Sequence, residues 1–592
     1  MPLGAMQDWP LRVTHLIDHA AREYGGREIV SHWADGSETR THWAGIRHDA
    51  LRMTQALRAA GIGSGDRVAT LAMNHSRHLV TWYGAVGAGG VLHTINPRLF
   101  DEQLTYIVNH AEDRVLLYDA VFQPIVDRLR GQWPTVSLYV CFDPPPGSDV
   151  LGFEDWIGGH DGNATWAEGD ERDPCMLCYT SGTTGHPKGV LYEHRSTMLH
   201  AMAAVQPNLF NFDSRSVMLP IVPMFHAASW GLPWAGAIPG VKFVYSAVND
   251  PAVLCGLMDR EGVTHSAGVP TVWLAMFGYL DSAGKDVRDL GALKTAVIGG
   301  SACPRFMIER LMNNGVRVAH LWGMTETSPV GTAGAYPWNW DSMSFTEQVD
   351  LVSRQGRSAF GIELRCVDLD DPTKALPRDG VSSGALQVRG PWVIKRYFKA
   401  EADATDAEQW FDTGDVAVIH PDGTLQLTDR TKDVIKSGGE WISSVELENA
   451  AVGHPAVAEA AAIGIYHPRW DERPILVVVR KAGVNCSAED INAHLADKVA
   501  KWWLPDAIEF VDDIPHKWAT RTPLFINRSI MNRGHADPPI TAVLSAPRSR
   551  TSLPAESRWP NIASQTVGTP AECVTPSRSI KSHNTAGSLT AE

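Results

Sequence analysis

A polar loop with one lysine is the part of this sequence best suited to chemistry. Its residues are Thr180, Ser181, Gly182, Thr183, Thr184, Gly185, His186, Pro187 and Lys188. Glycines let backbone N–H groups approach a ligand closely, hydroxyls add donors, and lysine adds a positive charge. This combination predicts a binding site for a polyphosphate. A glycine-rich surface turn is the alternative, because turns tolerate Gly, Ser and Thr.

The loop differs from a Walker A loop, which needs Gly, four residues and then Gly-Lys-Ser/Thr. Counting from Gly182, the position of the second glycine holds Pro187. The apolar run 175–179 predicts a buried strand before the loop, and the chain after Val190 is predicted to be a helix. Cys175 and Cys178 lie in that run without a second pair at metal-binding spacing, so we expect buried strand residues.

A hydroxyl and a carboxylate are adjacent at Thr325 and Glu326, within W-G-M-T-E-T at 322–327. The hydroxyl can bind an α-phosphate oxygen. The carboxylate can hold Mg²⁺, which takes few protein ligands together with phosphate oxygens and water. An ordinary helix N-terminus with a threonine cap is the alternative.

Residues 179–190 resemble the phosphate loop of the adenylate-forming superfamily, Y-T-S-G-T-T-G-x-P-K-G-V. This family includes acyl- and aryl-CoA synthetases, luciferases and peptide-synthetase adenylation domains. Three further segments resemble its motifs: W-G-M-T-E-T at 322–327, W-F-D-T-G-D at 410–415 and D-R-T-K-D-V-I-K-S-G-G-E at 429–440. Among family members, the chain looks most like medium- and long-chain fatty-acyl-CoA ligases and methylthiopropionyl-CoA ligases.

The resemblance implies that the enzyme uses ATP, Mg²⁺ and coenzyme A, and that a carboxylic acid is the substrate. Lys188 and the loop hydroxyls would hold the β- and γ-phosphates, while Thr325 and Glu326 would act at the α-phosphate and the metal. Asp415 and Arg430 would bind the ribose, since a carboxylate can accept two hydrogen bonds from a vicinal diol. The other implied nucleotide contacts are Gly299, Gly300, Ser301, Trp322, Gly323 and Met324.

Lys432 falls at the hinge position of the family, where the small C-terminal domain rotates between adenylation and thioester formation. Lys436, in the same segment, is predicted among the catalytic residues. After the rotation, four residues would face coenzyme A: Gly438, Gly439, Glu440 and Trp441. A charged interdomain linker is the alternative.

Residues 223–230 resemble the acyl-site segment of the family. His226 would lie near the substrate carboxylate and Trp230 near the pocket entrance. The apolar side chains of Val222, Met224, Trp230 and Trp234 would suit an aliphatic acid, and the absence of an early aspartate argues against an amino-acid substrate. A core histidine and a core tryptophan at the start of a helix are the alternative for His226 and Trp230.

Composition restricts the possible functions. The 592 residues are 44% hydrophobic and 20% charged, as in soluble globular proteins. A net charge of -15 argues against a nucleic-acid partner, and no apolar run is long enough to span a membrane. The start of the chain lacks the pattern of a secretory signal, and the eight scattered cysteines suit a cytoplasmic location. Some related enzymes are dimers, so a homodimer is possible.

Short apolar runs alternate with helical patterns up to about residue 329, which predicts an α/β fold. The predicted architecture has a large N-terminal AMP-binding domain, 1–429, of layered α/β subdomains plus a β-barrel-like subdomain. A small mobile α+β C-terminal domain follows at 430–516. Residues 517–592 lose apolar periodicity and are predicted to be a disordered tail. Strands are expected at 68–73, 91–94, 115–118, 137–140, 217–220, 242–245, 295–298, 361–367 and 384–388.

One family motif is missing. The family usually carries a lysine near its C-terminus, in a T-x-x-G-K segment after I-P, and this lysine bridges the acid and the α-phosphate. Ile514 and Pro515 match the I-P that precedes this segment, but no Gly-Lys follows them. The C-terminal domain is therefore predicted to be truncated. Motif and periodicity are lost together, which indicates a shifted reading frame after about residue 516. Resequencing of the gene across this point tests the hypothesis. If the reading frame is intact, Lys517 or Arg521 would take the place of the missing lysine.

The predicted activity is an ATP-dependent conversion of a medium- or long-chain fatty acid, through an acyl-adenylate, to acyl-CoA, AMP and pyrophosphate. The acid is already ionised near pH 7, so the first step needs no general base. Loss of the C-terminal lysine leaves an adenylation-impaired binding protein as one alternative. An aryl-CoA ligase, a methylthiopropionyl-CoA ligase or a luciferase-like oxygenase is another, since all share the nucleotide motifs.

Overall fold

Two large sheets and the helices that cover them carry most of the predicted nucleotide motifs. The structure is a computed structural model that describes residues 4–180, 186–334, 336–430, 434–437, 440–467, 469–481 and 483–514. All described residues lie in one compact unit. No helix in these ranges is long and apolar enough to cross a membrane.

Strands and helices alternate through the first 330 residues or so, as the sequence predicts. The strands are β1 Glu28–His32, β2 Glu38–His42, β3 Arg67–Leu71, β4 Val91–Thr94, β5 Asp113–Tyr118, β6 Leu138–Cys141, β7 Pro174–Tyr179, β8 Gly189–Glu193, β9 Val217–Pro220, β10 Lys242–Ser246, β11 His265–Gly268, β12 Thr295–Ile298, β13 Arg317–Gly323, β14 Val330–Ala333, β15 Arg357–Ser358, β16 Glu363–Val367, β17 Gly384–Arg389, β18 Phe411–Ile419, β19 Leu425–Arg430, β20 Ile435–Ser437, β21 Glu440–Ile442, β22 Val457–His467, β23 Asp471–Arg480 and β24 Ala507–Val511. The helices are α1 Thr14–Glu23, α2 Trp43–Ala59, α3 Ser76–Gly87, α4 Asp101–Ala111, α5 Gln123–Leu129, α6 Phe153–Gly158, α7 His194–Ala204, α8 Leu232–Ala235, α9 Pro251–Glu261, α10 Pro270–Ser282, α11 Arg305–Asn313, α12 Phe345–Ser353, α13 Ser444–Val452 and α14 Ala488–Ala496.

The two large sheets are mainly parallel. The nine-stranded sheet has the order β15-β14-β13-β12-β11-β9-β10-β1-β2, with antiparallel pairing only at β2, β14 and β15. The six-stranded sheet has the order β6-β5-β3-β4-β7-β8, and its last pair is antiparallel. The polar loop follows β7 and the 299–301 turn follows β12, so both leave the carboxyl ends of parallel strands, where open α/β sheets bind ligands.

Apolar clusters place the sheets in alternating layers with the helices. The largest cluster contains Ile29 of the nine-stranded sheet, Val68 of the six-stranded sheet, and Trp43 and Trp82 of α2 and α3. These two helices therefore lie between the sheets. The outer face of the nine-stranded sheet is covered by α9 to α12, and the outer face of the six-stranded sheet by α4 and α5.

Two smaller sheets follow. Strands β16 to β19 form a four-stranded antiparallel sheet, in the region for which the sequence predicts a β-barrel-like subdomain. A five-stranded sheet of β20 to β24 packs against α13 and α14 and forms the C-terminal part of the described chain. The predicted tail at 517–592 lies outside the described residues.

The bounds of β4, β9 and β12 coincide with the predicted strands. Cys175 and Cys178 are buried residues of β7, as predicted, and burial raises their pKa values to about 12 and about 11. All seven described cysteines are buried and unpaired.

The prediction of a helix directly after Val190 is wrong. The chain first forms β8, which pairs antiparallel with β7, and the helix α7 begins only at His194. The reason is tertiary pairing: Val190 and Tyr192 stand opposite Cys178 and Met176 and are buried there. The polar loop therefore connects two paired strands instead of a strand and a helix.

An ion cluster joins the edge of the nine-stranded sheet to the end of α9. The buried carboxylate of Glu261 contacts Arg40 at 2.6 Å and Lys242 at 2.8 Å. Burial opposes ionisation, but the hydrogen bonds and charges of both cations outweigh it and lower the pKa of Glu261 from 4.5 to about 2. Because the folded pKa is depressed, the cluster stabilises the fold above the unfolded value and loses this contribution as the pH falls.

We therefore expect Glu261→Gln to lower Tm most at neutral pH, with the difference from wild type shrinking as the pH falls from 4.5 towards 2. Differential scanning calorimetry between pH 3 and 7 measures this. Glu309→Gln is the control, since its pair with Arg305 is a surface i,i+4 contact of small energy. A Glu261→Gln difference that stays constant with pH would contradict the assignment.

Candidate active site

The described ends of the polar loop are held together by sheet hydrogen bonds. Tyr179 at the end of β7 stands opposite Gly189 at the start of β8, and the Thr180 N–H donates to the Lys188 carbonyl at 2.8 Å. The Lys188 side chain is exposed at the closed base of the loop. Ser181, Gly182, Thr183, Thr184 and Gly185 lie outside the described residues.

Stacked rings position the second half of the loop. His186 stacks on Tyr106 with ring centroids 4.2 Å apart, and Tyr106 stacks on His110 at 5.2 Å. The His110 ring nitrogen Nδ1 in turn lies 2.7 Å from the hydroxyl of Tyr179. This column links the loop to α4 and to the strand from which the loop starts.

Glu326 is a buried carboxylate with defined partners. Its exposed fraction is 7%, and the hydroxyl of Tyr397 donates to its Oε1 at 2.8 Å. The backbone N–H of Ile394 donates to the Glu326 carbonyl, also at 2.8 Å. Burial raises the pKa of Glu326, against the opposing effects of the Tyr397 hydrogen bond and of the nearby cations Arg430 and Lys188.

These residues fit a Mg²⁺ ion. A carboxylate with one oxygen fixed by a hydroxyl keeps its second oxygen for a cation, and such outer partners orient metal ligands in many sites. Mg²⁺ usually takes only one or two carboxylates and completes its shell with phosphate oxygens and water. Glu326 would be the protein ligand, next to the loop that is predicted to hold the phosphates.

Thr325 follows a close backbone crossing at the end of β13. A Cβ on Gly323 would lie 1.9 Å from the Pro329 carbonyl oxygen, so only glycine fits. The N–H of Met324 donates to the same carbonyl at 3.0 Å, and the hydroxyl of Tyr192 donates to the Thr325 carbonyl at 2.7 Å. Tyr192 belongs to β8, so this contact joins the two nucleotide motifs.

Asp415 lies between a tryptophan and an arginine. The indole N–H of Trp322 donates to its Oδ2 at 2.8 Å, and Nε of Arg430 donates to its Oδ1 at 2.8 Å. Burial raises the pKa of Asp415, and the charge of Arg430 opposes this effect. The Asp415 side chain is 3% exposed and that of Arg430 51%, so the pair presents the guanidinium to solvent.

The 299–301 turn adjoins the predicted acyl segment. Gly300 has φ +81°, which favours glycine, and both it and Ser301 are exposed, whereas Gly299 is buried at the end of β12. A Cβ on Gly300 would lie 4.0 Å from Cζ2 of Trp230. The structure thus brings the predicted adenine turn and the predicted acyl segment together.

The acyl segment contains a strained, buried turn. Residues 227–230, none of them glycine, have φ values between 41° and 56°, and each left-handed residue of this kind costs roughly 1–2 kcal/mol. Asn74 anchors the start of the segment, because its amide donates to the carbonyls of Pro220 and Val222 at 2.9 and 3.0 Å and accepts from the N–H of Met224 at 2.7 Å. Packing and these bonds hold the strained backbone.

The predicted acyl-site side chains differ in their surroundings. Val222 and Trp230 are buried, and burial, with the charge of Arg98, lowers the pKa of His226. Trp234 is 1% exposed and packs on Trp82, at a centroid distance of 5.1 Å, between the two sheets. Trp234 thus lies among core residues, and its place in the acyl site stays a prediction.

The hinge region is described only in part. Lys432, Gly438 and Gly439 lie outside the described residues. Lys436 is in β20 and stands opposite Trp441 in β21, beside Glu440, but the side chains of all three lie outside the description. On the N-terminal side, the Asp429 carboxylate accepts the N–H of Ser444 at 2.6 Å, so the strand that ends at Arg430 contacts the start of α13.

Three residues that sequence reasoning missed hold these motifs together: Asn74, Tyr192 and Tyr397. Each acts through a contact across more than 70 positions in the chain. None stands within a motif, so no spacing in the sequence could have identified them.

Comparison with known proteins agrees with the geometry. The family model of the AMP-binding enzymes matches residues 17–398, and that of the AMP-binding enzyme C-terminal domain matches residues 446–522. The 3-methylmercaptopropionyl-CoA ligase of Ruegeria lacuscaerulensis is 46% identical over 87% of this chain and 96% of its own. The medium-chain-fatty-acid–CoA ligase of Ectopseudomonas oleovorans is 44% identical over 87% of this chain and 94% of its own.

The fold is shared with a solved acyl-adenylate complex. The anthranilate CoA ligase AuaEII, crystallised with anthranoyl-AMP, superposes with a TM-score of 0.77 at 25% identity, over 89% of this chain and 99% of its own. Both family models, the relatives and the fold lead to the same assignment. The chain belongs to the AMP-binding enzyme family and is an acid–thiol ligase.

Proposed function

We propose that this enzyme activates an aliphatic carboxylic acid with ATP, through an acyl-adenylate, and transfers the acyl group to coenzyme A. The main support is two sets of contacts, and the charge of Arg430 in the second set also acts on Glu326 in the first. Tyr397 contacts both Glu326 and Lys188, and Asp415 contacts both Trp322 and Arg430. A metal ligand, a phosphate-binding cation and a ribose-binding pair are thus available side by side.

In the proposed first step, the acid attacks the α-phosphorus of ATP and pyrophosphate leaves. The chain must orient the reactants and neutralise charge, which is the main requirement of phosphoryl-type transfer. The exposed ammonium of Lys188 serves the leaving pyrophosphate, and Asp415 with Arg430 holds the ribose. Mg²⁺ bound at Glu326 would neutralise phosphate charge.

In the proposed second step, the thiol of coenzyme A attacks the acyl carbonyl and AMP leaves. Lys436 and the segment of Gly438, Gly439, Glu440 and Trp441 are proposed for this side of the reaction, with Lys432 as the hinge. A cytoplasmic location and a homodimer also remain predictions from the sequence.

The proposed substrate is an aliphatic acid of medium chain length. The apolar residues Val222, Met224 and Trp230 of the predicted acyl site are buried. The two relatives described above are named for a methylmercaptopropionyl and a medium-chain fatty acyl substrate. Both acids are unbranched and uncharged apart from the carboxylate, in keeping with an apolar site.

We expect ATP–pyrophosphate exchange with octanoate and 3-methylthiopropionate to exceed exchange with acetate or benzoate at least tenfold. With coenzyme A added, AMP and acyl-CoA should form in equal amounts. Comparable rates with benzoate would contradict the aliphatic assignment. Absence of exchange, with thioester formation from octanoyl-AMP, would instead support the adenylation-impaired alternative, which the relatives do not favour.

A second prediction concerns the ribose. We expect Asp415→Asn to raise KM for ATP about 10- to 100-fold, because hydrogen bonds to a charged group contribute about 1.5–3 kcal/mol. Wild-type enzyme should also use 3′-deoxy-ATP poorly, whereas the variant should no longer distinguish it from ATP. Glu408→Gln, at an exposed residue paired with Arg365, is the control. If the variant keeps the wild-type preference for ATP over 3′-deoxy-ATP, Asp415 does not bind the ribose.

A further inference from the structure

Tyr397 touches the functional groups of two separate nucleotide motifs. Its hydroxyl donates to Oε1 of Glu326 at 2.8 Å, and the ammonium of Lys188 lies 4.8 Å from the centre of its ring. Lys188 and Glu326 are 138 positions apart in the chain. One side chain therefore contacts both Lys188 and Glu326.

The backbone around Tyr397 makes the same connection. The N–H of Ile394 donates to the Glu326 carbonyl, and the N–H of Phe398 donates to the carbonyl of Gly189, each at 2.8 Å. Gly189 directly follows Lys188. The segment 394–398 is thus fixed at one end to the motif of Glu326 and at the other to the base of the polar loop.

The chemistry of a tyrosine suits both contacts. The phenol hydroxyl is a hydrogen-bond donor at neutral pH, as its contact with Glu326 requires. A hydroxyl on one carboxylate oxygen orients the other towards a cation. The electron-rich face of the ring attracts an ammonium group without neutralising it, so the charge stays available for a phosphate.

We propose that Tyr397 is a positioning residue that couples Lys188 to Glu326, so that ATP and Mg²⁺ are bound as one unit. The inference rests on the proposed function, because it assigns ATP to Lys188 and Mg²⁺ to Glu326. The hydroxyl orients Glu326, the proposed Mg²⁺ ligand, and the ring positions Lys188, the proposed phosphate-binding group. The two contributions can be removed separately.

The experiment measures ATP binding to the full chain by isothermal titration calorimetry, with excess EDTA and over a series of Mg²⁺ concentrations. Tyr397→Phe keeps the ring and loses the hydroxyl. We expect its half-saturating Mg²⁺ concentration to rise about 10-fold, while its Kd for ATP in EDTA stays within about 2-fold of wild type. Tyr397→Leu loses both contacts, and its Kd in EDTA should also rise about 3- to 10-fold.

Tyr139→Phe is a matched control. The hydroxyl of Tyr139 also donates to a protein oxygen, the carbonyl of Arg130 at 3.4 Å, and the Arg130 guanidinium also lies over its ring, at 4.9 Å. This pair is far from the nucleotide motifs in the chain. The control should leave both the Mg²⁺ dependence and the Kd in EDTA unchanged.

The outcomes separate this inference from the proposed function. Failure of wild-type protein to bind ATP with Mg²⁺ would overturn the proposed function. Wild-type binding with an unchanged Mg²⁺ dependence in a folded Tyr397→Phe variant would overturn the coupling. An equal loss of ATP affinity with and without Mg²⁺ in the Tyr397→Phe variant would also overturn the coupling, since such a loss would indicate a general distortion of the site. If Tyr397→Leu does not fold, Tyr397→Phe decides the question.

Discussion

The burial of the Glu326 carboxylate is the constraint on which the site depends. A buried carboxylate must be paired with donors or cations, because an unpartnered charge in the interior costs several kcal/mol. The structure supplies a hydroxyl from Tyr397 and two nearby cations, Lys188 and Arg430. These groups come from the polar loop, from the segment at 394–398 and from the end of β19, so three distant parts of the chain meet around one carboxylate.

The residues of the candidate site could be proposed from the sequence, because they stand in short motifs whose residue types indicate a ligand; their roles stay predictions. The polar loop and the pair of Thr325 and Glu326 are two of these motifs, while Asp415 and Arg430 stand in two others, at 410–415 and 429–440. The bounds of β4, β9 and β12 could also be predicted, since these are buried apolar runs between turns. The prediction of a helix after Val190 failed because the structure there depends on a contact across the loop. Val190 pairs with Cys178, so the chain forms β8 instead.

The structure of the acyl segment also depends on contacts between residues that are distant in the chain. Its apolar composition suggests an aliphatic substrate, but composition does not state which side chains belong to the core. Trp234 packs between the sheets, while Trp230 lies beside the turn at Gly300. The left-handed turn at 227–230 ends at Trp230, and the start of its segment is held by Asn74, 150 positions away from Met224. Such strain is set by tertiary packing and leaves no pattern in the sequence.

The central claim is that the acid attacks the α-phosphorus of ATP. Octanoate labelled with ¹⁸O in both carboxylate oxygens tests it most directly, with ATP, Mg²⁺ and coenzyme A present and the products analysed by mass spectrometry. Attack at the α-phosphorus predicts AMP that carries one ¹⁸O and pyrophosphate that carries none. ADP as the nucleotide product, with ¹⁸O in inorganic phosphate, would contradict the account, because the acid would then have attacked the γ-phosphorus.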